Sequence, residues 1–162
     1  MSNEPIAHGP RALTEGVEIR PACVEEAGEL LPLMRAYCNF YESSPEDEGL
    51  LLMMRTLITD PSQGAMFIAR DADRAVGFAT VDWKWSMLRG ARIGYLEDLF
   101  VSPDARGRGI ADALIKICAE QCRELGMPAM LWLTAPDNDR AQAVYDRVGA
   151  VPETLVEYDL DL

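Results

Sequence analysis

The stretch from Val101 to Ala111 reads VSPDARGRGIA and links two patterns of different kinds. The preceding segment, 93–101 (IGYLEDLFV), is apolar at most positions, which is typical of a central strand buried on both faces. The following segment carries apolar residues at helical spacing until Gly126 and Pro128 end the pattern. The stretch is therefore predicted to be a short loop that leads from a buried strand directly into an amphipathic helix.

The composition of this loop, Arg106 to Gly109, favours an anion-binding site. Glycines let backbone N–H groups come close to a ligand, and a helix start leaves about four N–H donors unpaired. The helix macrodipole adds roughly half a positive charge, and the two arginines add more. In a chain of net charge −12, this concentration of positive potential predicts a pyrophosphate site. A solvated basic turn is the alternative interpretation.

Two common nucleotide-binding motifs do not fit the loop. The dinucleotide fingerprint GxGxxG needs a small residue three positions after Gly109, where Asp112 stands. The phosphate loop GxxxxGK, followed by Ser or Thr, is absent from the chain. The pattern that does fit is R-x-x-G-x-A, from Arg106 to Ala111.

Strand and helix patterns alternate over the rest of the chain. Residues 1–16 are predicted to be a loose tail and residues 17–162 a single domain. Two helical stripes follow the first strand; Pro32 should kink the first or divide it in two, and Ser44 should cap the second. The order of elements predicts one α/β domain around a mixed sheet. The strands are predicted at 17–20, 64–70, 75–87, 93–101, 129–134 and 154–160, and the helices at 24–41, 44–59, 110–126 and 138–149.

The composition limits the class of protein. The chain has 162 residues, 49% of them hydrophobic and 26% charged, which is enough to build a core without disulfides or metal and excludes a disordered segment. Because no apolar run approaches the roughly 20 residues that cross a bilayer, a membrane protein is excluded too. The net charge of −12 disfavours nonspecific nucleic-acid binding and favours cationic partners.

Four cysteines and one histidine predict little chemistry of their own. None of the cysteines forms a CxxC, and Cys118 and Cys122 lie one helical turn apart, which is atypical of a secreted disulfide framework. We therefore expect a reduced, cytoplasmic protein, also because the first residues lack the basic and apolar regions of a secretory signal. His8 lies in the predicted tail without a second histidine, so no metal site is expected.

The loop pattern resembles that of the GNAT superfamily of acetyl-CoA-dependent N-acetyltransferases. The resemblance covers nearly the whole domain from Val17 onward, and its most specific parts are YLEDLFV (95–101), RGRGIA and NDRAQAVYDRVGA (138–150). The strand and loop are similar to those of spermidine/spermine acetyltransferases, and the C-terminal part is similar to yeast enzymes that acetylate histones and other amines. The resemblance implies an α/β (α+β) fold with a central mixed, mostly antiparallel twisted sheet of six to seven strands flanked by about four helices.

The resemblance also implies acetyl-CoA as the cosubstrate and assigns residues to it. Backbone groups of Leu99, Phe100 and Val101 would pair with the pantetheine arm as if it were a short strand. Asn138 and the first turn after it, including Ala141, would contact the pantetheine, although Asn138 is also a competent helix cap without any ligand. The pyrophosphate would be held by Arg106, Gly107, Arg108, Gly109, Ile110, Ala111 and the amide of Asp112.

Tyr145 is the candidate general acid. On periodicity alone it is a core aromatic, but the resemblance implies that it reaches the sulfur of the cofactor. A thiol pKa near 8.5 beside a phenol pKa near 10 makes proton transfer from a tyrosine to the leaving thiolate reasonable.

Glu97 is the candidate base. Glu97 and Asp98 interrupt an apolar strand, and alternation predicts that they point to opposite faces and do not form a carboxylate pair. An alkyl amine with a pKa near 10.4 needs about 4–5 kcal/mol to lose its proton at pH 7, and a carboxylate can accept that proton, usually through water. In the polyamine relatives the acid of the LED motif has this role; a salt bridge to Arg92 or Arg20 is the alternative.

Aromatic residues after the first helix are the candidates for acceptor binding. Phe40, Tyr41 and Glu42 match the position at which the family lines its acceptor site, and Trp83 is a further candidate; packing is the alternative for the aromatics. The implied function is acetyl transfer from acetyl-CoA to a primary amine of a small molecule, such as a polyamine or an amino acid, without an acyl-enzyme. Protein lysines or N-termini are alternative acceptors, and a noncatalytic CoA-binding sensor is the alternative from another class. The family also implies a homodimer.

Overall fold

The computed structural model describes residues 10–162, in which six strands and four α-helices form the regular structure together with short 3-10 turns. The strands are β1 (Ala12–Thr14), β2 (Val17–Pro21), β3 (Gly64–Asp71), β4 (Arg74–Ser86), β5 (Ala91–Val101) and β6 (Met130–Leu131). The helices are α1 (Ala27–Phe40), α2 (Asp47–Thr59), α3 (Ile110–Glu124) and α4 (Asp139–Arg147). None of the helices in the described part of the chain combines the length and the apolar character needed to span a membrane.

One mixed sheet contains the six strands in the order β1-β2-β3-β4-β5-β6. Neighbouring strands are antiparallel except β5 and β6, which run parallel. The pairing of β4 with β5 is interrupted: Val81 lies opposite Leu96 and Thr80 opposite Asp98, so Glu97 is an extra residue without a partner on β4. This β-bulge changes the direction of the side chains that follow it. The predicted mixed, mostly antiparallel sheet flanked by about four helices is confirmed.

The parallel pair β5–β6 is short and leaves part of β5 open. Gly94 pairs with Met130 and Tyr95 with Leu131, and no later residue of β5 pairs with β6. From Leu96 to Val101, β5 is therefore bordered by β4 on one side, while its other edge is unpaired within the described residues.

Two hydrophobic clusters cover the two faces of the sheet. The cluster on the α1/α2 face includes Leu30 and Met54 of the helices together with Phe78 and Phe100 of the strands. The cluster on the α3 face contains residues of α3 such as Leu114, packed on residues of β4 and β5. Each fully buried side chain of this size stabilises the fold by about 1.5–3 kcal/mol. Each helix therefore turns its apolar stripe toward the sheet, because that orientation buries the most apolar side chains.

The N-terminal half differs from the sequence prediction at three places. Residues 1–9 of the predicted tail lie outside the described residues, and Ala12–Thr14 is strand β1, because it pairs antiparallel with β2. Pro32 lies inside one continuous helix, α1, so the predicted division into two helices is wrong, and the predicted kink stays a prediction. Helix α2 begins at Asp47, with Glu46 as its N-cap, and not at Ser44.

The C-terminal half differs more. Strand β6 contains two residues, whereas 129–134 was predicted. The predicted strand at 154–160 is wrong: the whole segment 151–162 is exposed and has no regular structure, although apolar and acidic residues alternate from Val156 to Leu162. Alternation is not sufficient for a strand, because its backbone N–H and C=O groups also need a paired neighbour.

Candidate active site

The loop between β5 and α3 presents backbone donors at the start of the helix. Gly107 and Gly109 have φ angles of +81° and +69°, a conformation that strains other residues. Gly109 is the N-cap of α3 and makes no side-chain cap. The helical ladder begins where the N–H of Ala113 donates to the carbonyl of Gly109 (3.0 Å), so the N–H groups of residues 110–112 have no intrahelical acceptor. The predicted anion-binding geometry is thus present in the backbone.

Two arginines place positive charge at this loop. Nε of Arg106 donates to the carbonyl of Val101 (2.8 Å), and its guanidinium lies 6.0 Å from the centre of the Phe100 ring. Burial lowers the pKa of Arg106, and the nearby positive charge of Arg140 lowers it further. An anion placed near both guanidinium groups would relieve this repulsion. Arg140, at the start of α4, was not among the predicted site residues.

Arg108 has a different partner. Its Nη1 pairs with Oδ2 of Asp71 (2.5 Å), and its Nη2 donates to the carbonyl of Glu15 (2.9 Å). The predicted contribution of this side chain to the positive potential of the loop is therefore largely neutralised, and a contact between Arg108 and a pyrophosphate would have to come from the backbone.

Leu99, Phe100 and Val101 form the end of β5, where β6 no longer accompanies the strand. On one side they pair with β4. The other edge can accept an extended ligand with amide groups, since such a ligand adds to a sheet edge through main-chain hydrogen bonds. The structure thus places the three predicted residues at an edge that no described strand pairs, where the carbonyl of Val101 accepts a hydrogen bond from Arg106.

Asn138 caps α4, as predicted. Its Oδ1 accepts from the N–H of Ala141 (3.2 Å), and its Nδ2 donates to Oγ1 of Thr134 (3.2 Å). The side chain thus holds the start of α4 against the segment that follows β6. Ala141, which was also predicted to contact the cofactor, is half-buried in the first turn.

Tyr145 is half-buried on α4, and its ring lies 5.3 Å from that of Trp132 in an edge-to-face arrangement. Burial raises its pKa, as does the neighbouring Tyr41, and hydrogen bonding with Thr134 opposes the rise. Because the phenol stays protonated at neutral pH, it is available as a proton donor.

A cavity of about 200 Å³ lies between α2 and the strands β4 and β5. It is smaller than the sites that hold drug-sized ligands, and among residues 10–162 the charged groups that line it are all carboxylates. Its lining residues are Met53, Thr56, Leu57, Gln63, Thr80, Asp82, Glu97 and Asp98.

The bulge explains why two consecutive carboxylates line this cavity. Leu96 and Leu99 pack with the cluster on the α3 face, whereas Glu97 and Asp98, between them, both reach the cavity on the α1/α2 side. The prediction that Glu97 and Asp98 point to opposite faces is wrong, because the unpaired residue breaks the alternation.

Asp98 is held by residues that the sequence analysis did not select. The hydroxyl of Thr80, which is fully buried, donates to Oδ2 of Asp98 (2.6 Å) and accepts from its backbone N–H (3.2 Å). Tyr37 of α1 is close as well: burial raises its pKa strongly, and Asp98 contributes to the rise. Tyr37 was visible only as one member of an apolar helical stripe, and Thr80 as one residue of a strand, so neither could be found before the two elements were brought together.

Glu97 combines a salt bridge with access to the cavity. Nζ of Lys84 lies 3.7 Å from its Oε1, and 42% of the Glu97 side chain is exposed. Burial raises the pKa of Glu97, Lys84 opposes this, and Asp82 and Asp98 add to the rise. The predicted partners Arg92 and Arg20 do not pair with it. A carboxylate with a raised pKa remains a base at neutral pH and is better matched to proton transfer.

The predicted acceptor residues do not line the cavity. Phe40 and Tyr41 lie at the end of α1 with 65% and 52% exposure and contact each other, and Glu42 follows them in the exposed turn. Tyr41 influences the pKa of Tyr145, and its ring lies 5.0 Å from that of Tyr37, so this end of α1 borders the two tyrosines.

Trp83 lies on the other face of β4. Thr80 and Asp82 reach the cavity, whereas Trp83, one position further along the strand, packs with the cluster on the α3 face and donates from Nε1 to the carbonyl of Pro61 (3.0 Å). Strand alternation therefore separates Trp83 from the carboxylates, and Trp83, a predicted acceptor-site residue, does not line this cavity.

The thiols of α3 lie away from this chemistry. Cys118 and Cys122 are buried, and burial raises both of their pKa values, that of Cys122 to about 11. They are therefore protonated core residues at neutral pH. In residues 10–162, no group of three or more His, Cys, Asp or Glu side chains is arranged to hold a metal ion.

This combination of an interrupted central strand, an amide-rich helix start and a capped helix bearing a tyrosine defines an acyltransferase class. Residues 30–150 match the acetyltransferase (GNAT) family, and the chain belongs to that family. The predicted family, fold and enzyme class are confirmed.

Similar proteins agree with this membership. An uncharacterized N-acetyltransferase, YhfO of Bacillus subtilis, is 25% identical over 147 residues, which are 90% of this chain and 98% of that protein. The D-amino-acid N-acetyltransferase HPA3 of Saccharomyces cerevisiae is 33% identical over 85 residues, 52% of this chain and 53% of that enzyme, so the match spans about half of it. The solved aminoglycoside N-acetyltransferase AAC(6')-Iy in complex with CoA has the same fold, with a TM-score of 0.79 at 22% identity, over 97% of this chain and 100% of that one.

Proposed function

We propose that this enzyme transfers the acetyl group of acetyl-CoA to a primary amine of a small molecule. The observation that carries the proposal is the position of the carboxylate-lined cavity directly beside the part of β5 with an unpaired edge. A cationic acceptor bound among Asp82, Glu97 and Asp98 would lie next to a thioester bound along 99–101. That the yeast relative is named for D-amino acids supports a small acceptor.

The residues present fit CoA. The N–H groups of 110–112 and the side chains of Arg106 and Arg140 would hold the pyrophosphate, and the edge of 99–101 would pair with the amides of the pantetheine arm. Asn138 and Ala141 would border that arm. When bound, acetyl-CoA supplies an activated acetyl group as a thioester.

Glu97 prepares the amine. An alkyl ammonium at pH 7 must lose a proton before it can attack, which costs about 4–5 kcal/mol without help. Glu97, directly or through a water molecule, accepts that proton, and Asp98, fixed by Thr80, orients the ammonium group in the cavity. The free amine nitrogen then forms the bond to the carbonyl carbon.

Tyr145 completes the reaction. Backbone N–H groups near Phe100 stabilise the oxyanion, the carbon–sulfur bond breaks, and the phenol gives its proton to the departing thiolate. The nitrogen gives its second proton, directly or through water, to the phenolate of Tyr145, so the amide product and CoA are both neutral at the atoms that reacted and Tyr145 is restored. No acyl-enzyme forms, which agrees with the protonated state of Cys118 and Cys122.

The rate of CoA release from acetyl-CoA, measured against a panel of amines, tests this function. We expect turnover with at least one small amine, and a Tyr145→Phe variant at least tenfold slower with nearly unchanged acetyl-CoA affinity. Tyr158→Phe is the matched control, because Tyr158 is 91% exposed in the C-terminal segment. Binding of acetyl-CoA without turnover on any amine would favour a noncatalytic sensor, and turnover on peptides alone would favour a protein acetyltransferase.

Assembly and location are part of the proposal. The exposed apolar side chains of Val156, Tyr158 and Leu160 support the expected homodimer, since an apolar strip of this kind favours burial against a second copy. The net charge of −12 supports a role without nucleic acid, and the free cysteines support a reduced, cytoplasmic environment. Sedimentation equilibrium tests the dimer, which a single monomeric species would contradict.

A further inference from the structure

A bidentate ion pair joins α4 to the start of α3. Arg147, the last residue of α4, donates from Nε to Oδ1 and from Nη2 to Oδ2 of Asp112, both at 2.8 Å. A third donor, Nη1, bonds to the carbonyl of Ala143 one turn back on α4 (3.3 Å), which holds the guanidinium on its own helix. The pair lowers the pKa of Asp112, whose side chain is 17% exposed, so its carboxylate is charged at neutral pH.

The position of Asp112 conflicts with binding of an anion. It is the third residue of α3, in the first turn whose N–H groups would hold the pyrophosphate. A free carboxylate there would repel the phosphates, and it is also placed to accept hydrogen bonds from the same N–H groups. The Arg147 fork occupies both oxygens and supplies the compensating charge.

We propose that Arg147 is a positioning residue for CoA, which masks the charge of Asp112 and keeps its carboxylate away from the pyrophosphate loop. The proposal rests on the CoA site of the proposed function. Because the guanidinium belongs to α4, the same contact fixes the helix that carries Tyr145 against the loop.

A purely structural ion pair makes a different prediction. Removing either partner of such a pair would disturb the same contact, and both changes would weaken the site alike. If Arg147 masks the charge of Asp112, the two substitutions should instead change the affinity for CoA in opposite directions. Loss of Arg147 exposes a negative charge to the phosphates, whereas loss of the Asp112 charge removes the repulsion and leaves Arg147 as a further cation.

A double-mutant cycle on CoA affinity, measured by titration calorimetry at low ionic strength, separates the two roles. We expect Arg147→Met to raise the Kd for CoA roughly two- to fivefold and Asp112→Asn to lower it by a similar factor, as is typical of one charge at a helix terminus. The double variant should return toward the wild-type value, and the differences should shrink in 0.5 M salt, because salt screens exposed charges.

The control variant is Arg123→Met, which removes the same charge from the exposed last turn of α3, about 17 Å along the helix from Asp112. Its Kd should stay at the wild-type value. Arg147→Lys keeps the positive charge but loses the bidentate contact, so its Kd for CoA should lie between those of wild type and Arg147→Met. This variant tests the role of the charge even if Arg147→Met folds poorly.

Equal weakening by Arg147→Met and Asp112→Asn, or wild-type affinity in Arg147→Met, would overturn the masking role while leaving the CoA site intact. Absence of CoA binding by the wild-type enzyme would overturn the proposed function and this inference together, so the two failures are distinguishable.

Discussion

Replacement of Glu26 by glutamine should remove a large part of the stability of the fold. The Glu26 carboxylate is 7% exposed and accepts hydrogen bonds from Nη1 and Nη2 of Arg20 (3.0 and 2.7 Å), Nη1 of Arg70 (3.0 Å) and the N–H of Cys23 (3.0 Å). It thereby ties β2 and β3 to the chain that enters α1. Glutamine can keep the shape but offers one acceptor oxygen and no charge.

The magnitude follows from the pKa of this carboxyl group. Burial by itself would raise the pKa of Glu26, but the hydrogen bonds from Arg20 and Cys23 outweigh it and lower the value from 4.5 to about 2. At 1.36 kcal/mol for each pH unit, this difference corresponds to about 3 kcal/mol of stability. Because the pKa is lower in the folded state, the contribution is complete above pH 4.5 and is lost as the pH falls toward 2.

Urea unfolding of wild type, Glu26→Gln and the exposed neighbour Glu25→Gln at several pH values tests this reasoning. At pH 7, Glu26→Gln should lose about 3 kcal/mol of unfolding free energy and Glu25→Gln less than about 0.5 kcal/mol. The gap between wild type and Glu26→Gln should narrow steadily from pH 4.5 downward. A gap that stays constant to pH 2.5, or one below about 1 kcal/mol at pH 7, would refute the assigned role of the charge.

Four further predictions concern the site. Tyr145→Phe should lower kcat at least tenfold in a thiol-release assay, while the acetyl-CoA affinity measured by calorimetry stays nearly unchanged. A variant with the turnover of wild type would contradict the assignment of Tyr145 as the general acid. Glu97→Gln should lose activity mainly at low pH, where the amine is protonated, and a profile parallel to wild type would remove Glu97 as the base. Because Lys84 lowers the pKa of Glu97, Lys84→Met should move the acidic limb of the pH profile of kcat/KM to higher pH. An acidic limb at the wild-type pH would show that the ionisation of Glu97 does not control the reaction. Thr80→Val should lower the unfolding free energy by about 1–3 kcal/mol in urea titrations, since it strips a buried hydrogen bond from Asp98, and a change below about 0.5 kcal/mol would contradict that bond.

The central part of the fold was predictable because local chemistry dominates there. Three local patterns there each favour one conformation: the apolar run of β5, the glycines of the loop and the apolar stripe of α3. The conformation that each pattern favours is compatible with the elements on either side of it. The cap at Asn138 was predictable for the same reason, since its partner is the N–H three residues later.

The acceptor side was not predictable, because it depends on contacts between distant elements. The bulge at Glu97 could not be assigned from the letters LEDLFV, because two consecutive acids in a strand fit two opposite faces as well as they fit one face with an extra residue. Asp98 and Thr80 are 18 positions apart, and Arg147 and Asp112 are 35 apart, so neither pairing could be read from spacing. The C-terminal segment shows the converse. Its sequence has the alternation of a strand, but it forms none, because a strand also needs a neighbouring strand that accepts and donates its backbone hydrogen bonds.

The unpaired residue in β5 adds one side chain to the cavity side of the sheet without changing the pattern of the residues that follow it. Leu99 and Phe100 belong to clusters on opposite faces of the sheet. Deletion of Glu97 would restore strict alternation and leave every later residue on its present face, with Phe100 still beside Tyr37 and Phe78. Pairing Glu97 with β4 as a regular strand residue would instead exchange the faces of all later residues and send Phe100 toward α3. The bulge therefore adds a second carboxylate to the cavity while the apolar residues that follow it keep the faces on which the two clusters need them.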